Sequence, residues 1–170
     1  MTAIRRLDSL SDAQTHALAE VLIDCVAGGA SVSFMHPLTA DKARAFWRRV
    51  AAALPTGERA LLVAEDGTGI VGTVQLLLDQ PENQPHRADL SKMLVHRRAR
   101  RQGLGAALMR AAETVARDEG KTLLVLDAVT GGDAERLYAG LGWVRVGVIP
   151  DYALWPDGRP CDTTVFYKSL

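Results

Sequence analysis

Residues 93–105 read Met93-Leu94-Val95-His96-Arg97-Arg98-Ala99-Arg100-Arg101-Gln102-Gly103-Leu104-Gly105. An apolar strand end runs into an arginine-rich loop that holds two glycines and opens a long amphipathic helix. Such a turn presents free backbone N–H groups, a helix N-terminus and fixed positive charge at one point, a combination suited to a pyrophosphate. Three further groups could move or hold protons. Tyr138 lies downstream on a short helical segment. Asp127 ends an apolar run, and Asp89 opens the strand that leads into the loop. A carboxylate beside a cleft can act as a general base or orient a cationic amine.

Three phosphate binders compete for the loop. A nucleotide P-loop ends in Gly-Lys-Ser/Thr, and Gly103-Leu104-Gly105-Ala106-Ala107 does not. A dinucleotide fold matches in part, since Gly-x-Gly opens a helix and Asp127 ends the next strand. Against it, Leu108 stands where a third glycine would allow close packing, and Val95 to Gly103 is too long and basic for a tight first turn.

The elements that must position these groups follow from periodicity and punctuation. Residues 3–7 form a first strand. Ser11 or Asp12 caps a helix with apolar positions Leu18, Val21, Leu22 and Cys25, stopped by Gly28-Gly29. Residues 30–38 are irregular. Thr39 caps a second helix with the face Ala43, Phe46, Trp47, Val50 and Leu54. Residues 59–65 and 70–78 form a hairpin around Asp66-Gly67-Thr68-Gly69. Residues 88–95 are the next strand. The helix after it buries Leu104, Leu108, Ala111, Ala112 and Val115 and leaves Arg110, Glu113, Arg117 and Asp118 outside. Leu123-Leu124-Val125-Leu126 reads as a strand buried on both faces, parallel to 88–95 through a right-handed crossover. Asp133 caps a short helix through Leu141. Strands over 143–148 and 163–168 complete the order β-α-α-β-β-β-α-β-α-β-β.

Arg100-x-x-Gly103-x-Gly105 after Leu94-x-His96, with Asp133-Ala134-x-x-x-Tyr138-x-x-x-Gly142-Trp143 downstream, resembles the GNAT superfamily of acyl-CoA-dependent N-acetyltransferases. The match covers about residues 59–148 in motif and order. The resemblance implies a single domain with an α/β fold: a mixed central sheet with a splayed parallel strand pair, flanked by helices. It implies acetyl-CoA as co-substrate. Backbone groups at Met93, Leu94 and Val95 would hold the pantetheine arm. Arg100, Arg101, Gln102, Gly103, Leu104, Gly105 and Ala106 would hold the pyrophosphate, chiefly through main-chain N–H groups. Tyr138 would protonate the leaving thiolate. Gly131 departs from the family pattern, where asparagine often helps to hold the arm, so Thr130 or a main-chain group is expected to substitute.

Within the superfamily, Gly28-Gly29-Ala30-Ser31-Val32-Ser33-Phe34-Met35 and Pro150-Asp151-Tyr152-Ala153-x-x-Pro156-Asp157-Gly158 are similar to segments of tabtoxin-resistance acetyltransferases. That likeness implies a small, amino-acid-like or toxin-like primary amine as acceptor, attacked directly in a ternary complex. The acceptor pocket is expected from residues 28–38, 79–87 and 150–161, with Ser33, Phe34, Met35 and Tyr152 on its wall. A protein or peptide N-acetyltransferase and a non-catalytic acyl-CoA-binding sensor are the alternatives.

Composition narrows the partners. The 170 residues carry 20 Lys+Arg against 20 Asp+Glu, so a general nucleic-acid surface is not expected. No acidic run suits a polycationic aminoglycoside. The 2 cysteines, Cys25 and Cys161, make neither a disulfide framework nor a zinc site. No signal peptide follows Met1, and no apolar run approaches the ~18 residues a membrane span needs. A cytoplasmic monomer or homodimer without membrane or metal is the expectation.

Overall fold

A computed structural model describes residues 2–170. Its elements are β1 (Ala3–Leu7), α1 (Asp12–Ala27), α2 (Ala40–Ala53), β2 (Arg59–Asp66), β3 (Gly69–Leu77), β4 (Arg87–Val95), α3 (Leu104–Asp118), β5 (Leu123–Val129), α4 (Asp133–Gly140), β6 (Val144–Leu154) and β7 (Pro160–Ser169). This is the order expected from the sequence. The strands form one seven-stranded sheet, β1-β2-β3-β4-β5-β7-β6. Every neighbouring pair is antiparallel except β4 and β5.

Local chemistry sets the helix starts. The Ser11 hydroxyl accepts from Gln14 N–H and the Gln14 side chain accepts from Ser11 N–H, a reciprocal cap. Thr39 accepts from Lys42 N–H in the same way at α2. Alternate residues of β2 serve opposite faces of the sheet. Leu62 and Ala64 pack with α3 and α4, and Leu61 and Val63 pack with α1 and α2. Trp47, Leu18 and Leu22 are fully buried in the second of these cores, and Leu108, Met109 and Leu124 in the first.

Four sequence expectations need correction. Glu113 is buried, because β7 brings Lys168 Nζ to 2.8 Å from its carboxylate. A buried carboxylate needs such a partner, and the helical period does not reveal one 55 residues away. β5 is not buried on both faces: Leu124, Leu126 and Ala128 are buried, whereas Leu123, Val125 and Val129 are half-buried and Asp127 is exposed. Asp133 is the first residue of α4 rather than its cap; Gly132 precedes the helix without a side-chain cap. Strand β6 extends to Leu154, so residues 150–154 are strand and not loop. The pairing slips between Ile149 and Ala153, where Asp151 has φ 50°.

Candidate active site

The site is built by a defect in β4. Thr73 faces Leu94 and Gln75 faces Ser91, so two steps along β3 match three along β4. One extra residue is thereby inserted, a β-bulge. Lys92 within it has φ 51°, a left-handed conformation that costs a side-chain-bearing residue about 1 kcal/mol or more. β4 and β5 pair only at Arg87–Leu123, Ala88–Leu124 and Asp89–Val125. Beyond that rung the two strands part. The opening is a cleft of about 1050 Å³. Its walls come from residues 90–95 of β4, residues 126–129 of β5, the segment 28–35, the start of α3, and Tyr138.

One end of the cleft meets the arginine loop. Arg97–Ala99 form a single 3-10 turn that is begun by His96, whose Nδ1 accepts from Arg98 N–H. Gly103 has φ 77°, a conformation glycine adopts without strain, and α3 starts after it. The N–H groups of Leu104, Gly105 and Ala106 belong to the first helical turn and have no intrahelical acceptor. Gly105 is closely packed: a Cβ there would lie 3.1 Å from Leu137 Cδ2 and 3.8 Å from Met93 Sδ, so Leu137 would have to give by a few tenths of an ångström. The result is a bare patch of main-chain donors at a helix N-terminus.

The arginines divide by role. Arg97 donates from its backbone N–H and its Nε to the two oxygens of Asp24, at 2.8 and 2.9 Å. Arg98 pairs with Asp66 at 2.7 Å and holds that carboxyl well below the usual carboxylate range. Arg100 turns inward, and its Nε donates to the Val95 carbonyl at 3.0 Å. Arg101 (φ 60°) is exposed on the cleft wall. The loop's positive charge is therefore mostly spent on holding its own shape. Gln102 is exposed and lies off the wall.

Asp24 is the hub of that shape. Burial pushes its carboxyl up, but the Arg97 backbone N–H, the Arg97 guanidinium and His96 together outweigh burial and hold it below its ordinary value of 3.8. A depressed folded pKa stabilises the protein above the ordinary value, and the contribution is lost as pH falls through the folded one. Asp24→Asn is expected to cost about 1–2 kcal/mol at pH 7. The gap in melting temperature between variant and wild type should shrink below about pH 4. A gap that does not narrow at all as pH falls from 7 to 2 would mean that the charge is not what holds the loop.

Elsewhere along the cleft stand the groups that could move protons. Tyr138 is 5% exposed, packed against Phe166 and Trp143 with ring centroids at 5.9 and 6.1 Å. Its hydroxyl makes no hydrogen bond to the described residues, and the side chain lines the cleft. Burial, and after it the negative charge of Asp127, push its pKa well above that of an ordinary tyrosine. Asp127 faces the cleft; its Oδ2 accepts from Thr163 Oγ1 at 2.9 Å. Asp89 sits on the last paired rung, in an ion pair with Arg87 and 3.2 Å from Gln80 Nε2. It lines a neighbouring recess of about 340 Å³ that shares Asp127 and Tyr152 with the cleft.

Ser33, Phe34, Met35 and Tyr152 all line the cleft. Phe34 is anchored edge-on to Phe46 at 5.4 Å, and Ser31 ties the segment to β6 through the Leu154 carbonyl at 2.7 Å. Loop 79–87 contributes to neither wall. The Thr130 hydroxyl is bonded to that of Thr164 at 2.8 Å and is not among the residues that line the cleft. The residue that sequence reasoning missed is Lys92. Its only signal was a cation inside the otherwise uncharged run Leu90-Ser91-Lys92-Met93-Leu94; it sits in the bulge and lines the cleft. Among the described residues no group of three or more His, Cys, Asp or Glu side chains is arranged to hold a metal ion, and no helix is long and apolar enough to cross a membrane.

The Acetyltransferase (GNAT) family model matches residues 27–143. The chain belongs to the GNAT acetyltransferase family. It is 31% identical over 126 residues to an uncharacterised N-acetyltransferase from the hisH-hisA intergenic region of Azospirillum brasilense, covering 73% of each chain. It is 36% identical over 95 residues to N-acetyltransferase 8B of Rattus norvegicus, covering 55% of this chain and 43% of that protein. The chain thus spans less than half the length of the rat relative. A Salmonella typhimurium structure determined with its cofactor acetyl-CoA shares the fold, with TM-score 0.80, 22% identity and coverage of 99% and 94%. The mixed sheet with one parallel pair, expected for a GNAT protein, is thus the fold observed.

Proposed function

We propose that this GNAT protein transfers the acetyl group of acetyl-CoA to the primary amine of a small, amino-acid-like acceptor, by direct attack in a ternary complex. The observation that carries this reading is the parting of β4 from β5 beyond Asp89 and Val125. It leaves a single cleft whose wall carries both bare main-chain donors and a buried, protonated phenol. The acetyl-CoA held by the Salmonella structure of the same fold supports the choice of donor.

The residues fit that donor. The N–H groups from Arg101 to Ala106 would hold the pyrophosphate, with Arg101 beside them. The absence of a side chain at Gly105, where a Cβ would press on Leu137, leaves the approach clear. Main-chain groups at Met93 to Val95 would hold the arm, because the bulge leaves part of β4 without a partner on β3. Bound there, acetyl-CoA supplies an activated thioester carbonyl. The Tyr138 hydroxyl holds a proton that it can give to the departing sulfur. Asp127, exposed to the cleft with one oxygen taken by Thr163, orients the acceptor's ammonium group and takes up its proton. An alkyl ammonium with pKa near ~10.4 is only about one part in 2,500 neutral at pH 7, so this deprotonation matters. Asp89, engaged by Arg87 and Gln80, supports the rim of the acceptor side.

The mixture of Ser33, Phe34, Met35 and Tyr152 suits a small polar amine better than an extended peptide, and inactivation of an amino-acid-like toxin is one role such chemistry serves. The test is thiol release from acetyl-CoA across small amines, amino-acid analogues and short peptides. Turnover concentrated on amino-acid-like amines is the expected result. Turnover on peptides alone would replace the acceptor class, and acetyl-CoA binding without turnover on any amine would favour a sensor.

A further inference from the structure

We infer that Lys92 binds the carboxylate of the acceptor, which makes the acceptor an α-amino acid or a close analogue carrying both an amine and an acid. This inference rests on the acetyltransfer reading above and sharpens it. Three cationic side chains line the cleft: Lys92, Arg100 and Arg101. Arg100 is committed to the Val95 carbonyl, and Arg101 stands in the loop just before α3. Of the three, Lys92 stands close enough to Asp127 to feel its charge; Arg59, whose charge also reaches Lys92, is bonded to Gln75 Oε1 and lies off the cleft wall.

Its surroundings are those of a binding group rather than of a structural ion pair. Among the described residues no carboxylate lies within 4.0 Å of it. Nζ donates to Ser33 Oγ at 3.0 Å and lies 5.8 Å from the Phe46 ring centroid. Ser33 spends a lone pair on that bond and keeps its own hydroxyl proton to donate. Ser33 itself has φ 77°, and Lys92 has φ 51°. Two side-chain-bearing residues in left-handed conformations, bonded to each other across the cleft mouth, are the kind of local strain that persists at binding sites.

Asp127 stands on the same face of the sheet. Leu90 and Leu126 pack with α3, so Asp127, one residue on along β5, points to the opposite face, where Phe46, Phe34 and Lys92 meet. Burial lowers the Lys92 pKa, and the charge of Asp127, next in weight, works to raise it. Asp133, the other acid on the wall, is paired with Arg136, so Asp127 and Lys92 are the anion and the cation left without an ion pair on this face to meet one ligand. An acceptor carrying only positive charge, such as a polyamine, is drawn to Asp127 and repelled by Lys92. An α-amino acid satisfies both, with its ammonium group at Asp127 and its carboxylate at Lys92 and the Ser33 hydroxyl.

The test compares thiol release from acetyl-CoA for three matched acceptors: an α-amino acid, its carboxamide and the decarboxylated amine. Wild type should favour the acid by roughly 10- to 100-fold in kcat/KM, the range of a charge-assisted hydrogen bond, and mainly through KM. In Lys92→Met the ratio of acid to amide should fall toward one, while Lys92→Arg should keep a preference for the acid. Lys92→Glu should reverse it. A role in merely tying Ser33 in place would lower all three acceptors together and leave the ratio unmoved, which would overturn the inference. Equal use of acid and amide by wild type would overturn it as well, with acetyltransfer itself intact. Release with none of the acceptors, nor with peptides, would overturn the acetyltransfer reading and this inference with it.

Discussion

Tyr138→Phe is expected to lower kcat by roughly 100-fold or more, the usual weight of a positioned proton donor, with the KM for acetyl-CoA within about twofold of wild type. The hydroxyl makes no hydrogen bond inside the described protein, and the ring packs on Phe166 and Trp143. Phenylalanine keeps those contacts, so the variant should fold and bind as before. The pH profile gives a second reading of the same group. Burial and then Asp127 hold the proton on Tyr138 beyond the ordinary tyrosine value of 10. Loss of this acid therefore should not limit the rate below about pH 10, and a decline at lower alkaline pH would have to come from another group. Steady-state kinetics of thiol release from pH 6 to 10 checks both points. Unchanged turnover in Tyr138→Phe would remove the phenol from the chemistry.

Gly103→Glu is expected to weaken acetyl-CoA binding by at least about 100-fold, because it sets a carboxylate where the pyrophosphate is to be held and cancels the attraction of the α3 N-terminus. Gly103 has φ 77°, so any side chain there also carries a backbone cost of about 1 kcal/mol. Gly103→Ala separates the two effects. A Cβ at this position meets nothing within 4 Å, so alanine brings the strain without the charge. Calorimetric titration of both variants with acetyl-CoA should show a modest loss for alanine and a near-complete loss for glutamate. Binding by Gly103→Glu within tenfold of Gly103→Ala would place the pyrophosphate elsewhere.

The parts of the site that were legible in the sequence are those made by contiguous residues. The caps at Ser11 and Thr39, the amphipathic stripe of α3, the hairpin at Asp66–Gly69 and the glycines that open α3 depend on neighbours within a few positions. Local propensity and hydrophobic period therefore report them directly. The two motifs that resemble the GNAT pattern lie in such segments, and the element order and the family followed from them.

Contacts between distant segments were hidden. Arg97 looked like part of a phosphate cluster, but Asp24 lies 73 residues away in sequence and takes its charge. Glu113 looked exposed until β7 supplied Lys168. Asp127 looked like a buried strand end, yet no helix covers its face of β5, and it stands open in the cleft. The bulge that puts Lys92 there is a mismatch of register between β3 and β4, a property of two strands paired. A period-2 apolar pattern on one strand does not encode how many residues its partner spends over the same distance. Residue identities and local order thus settled the elements and the glycine turn that opens α3, whereas the pairing of β3, β4 and β5 decided which charges reach the cleft.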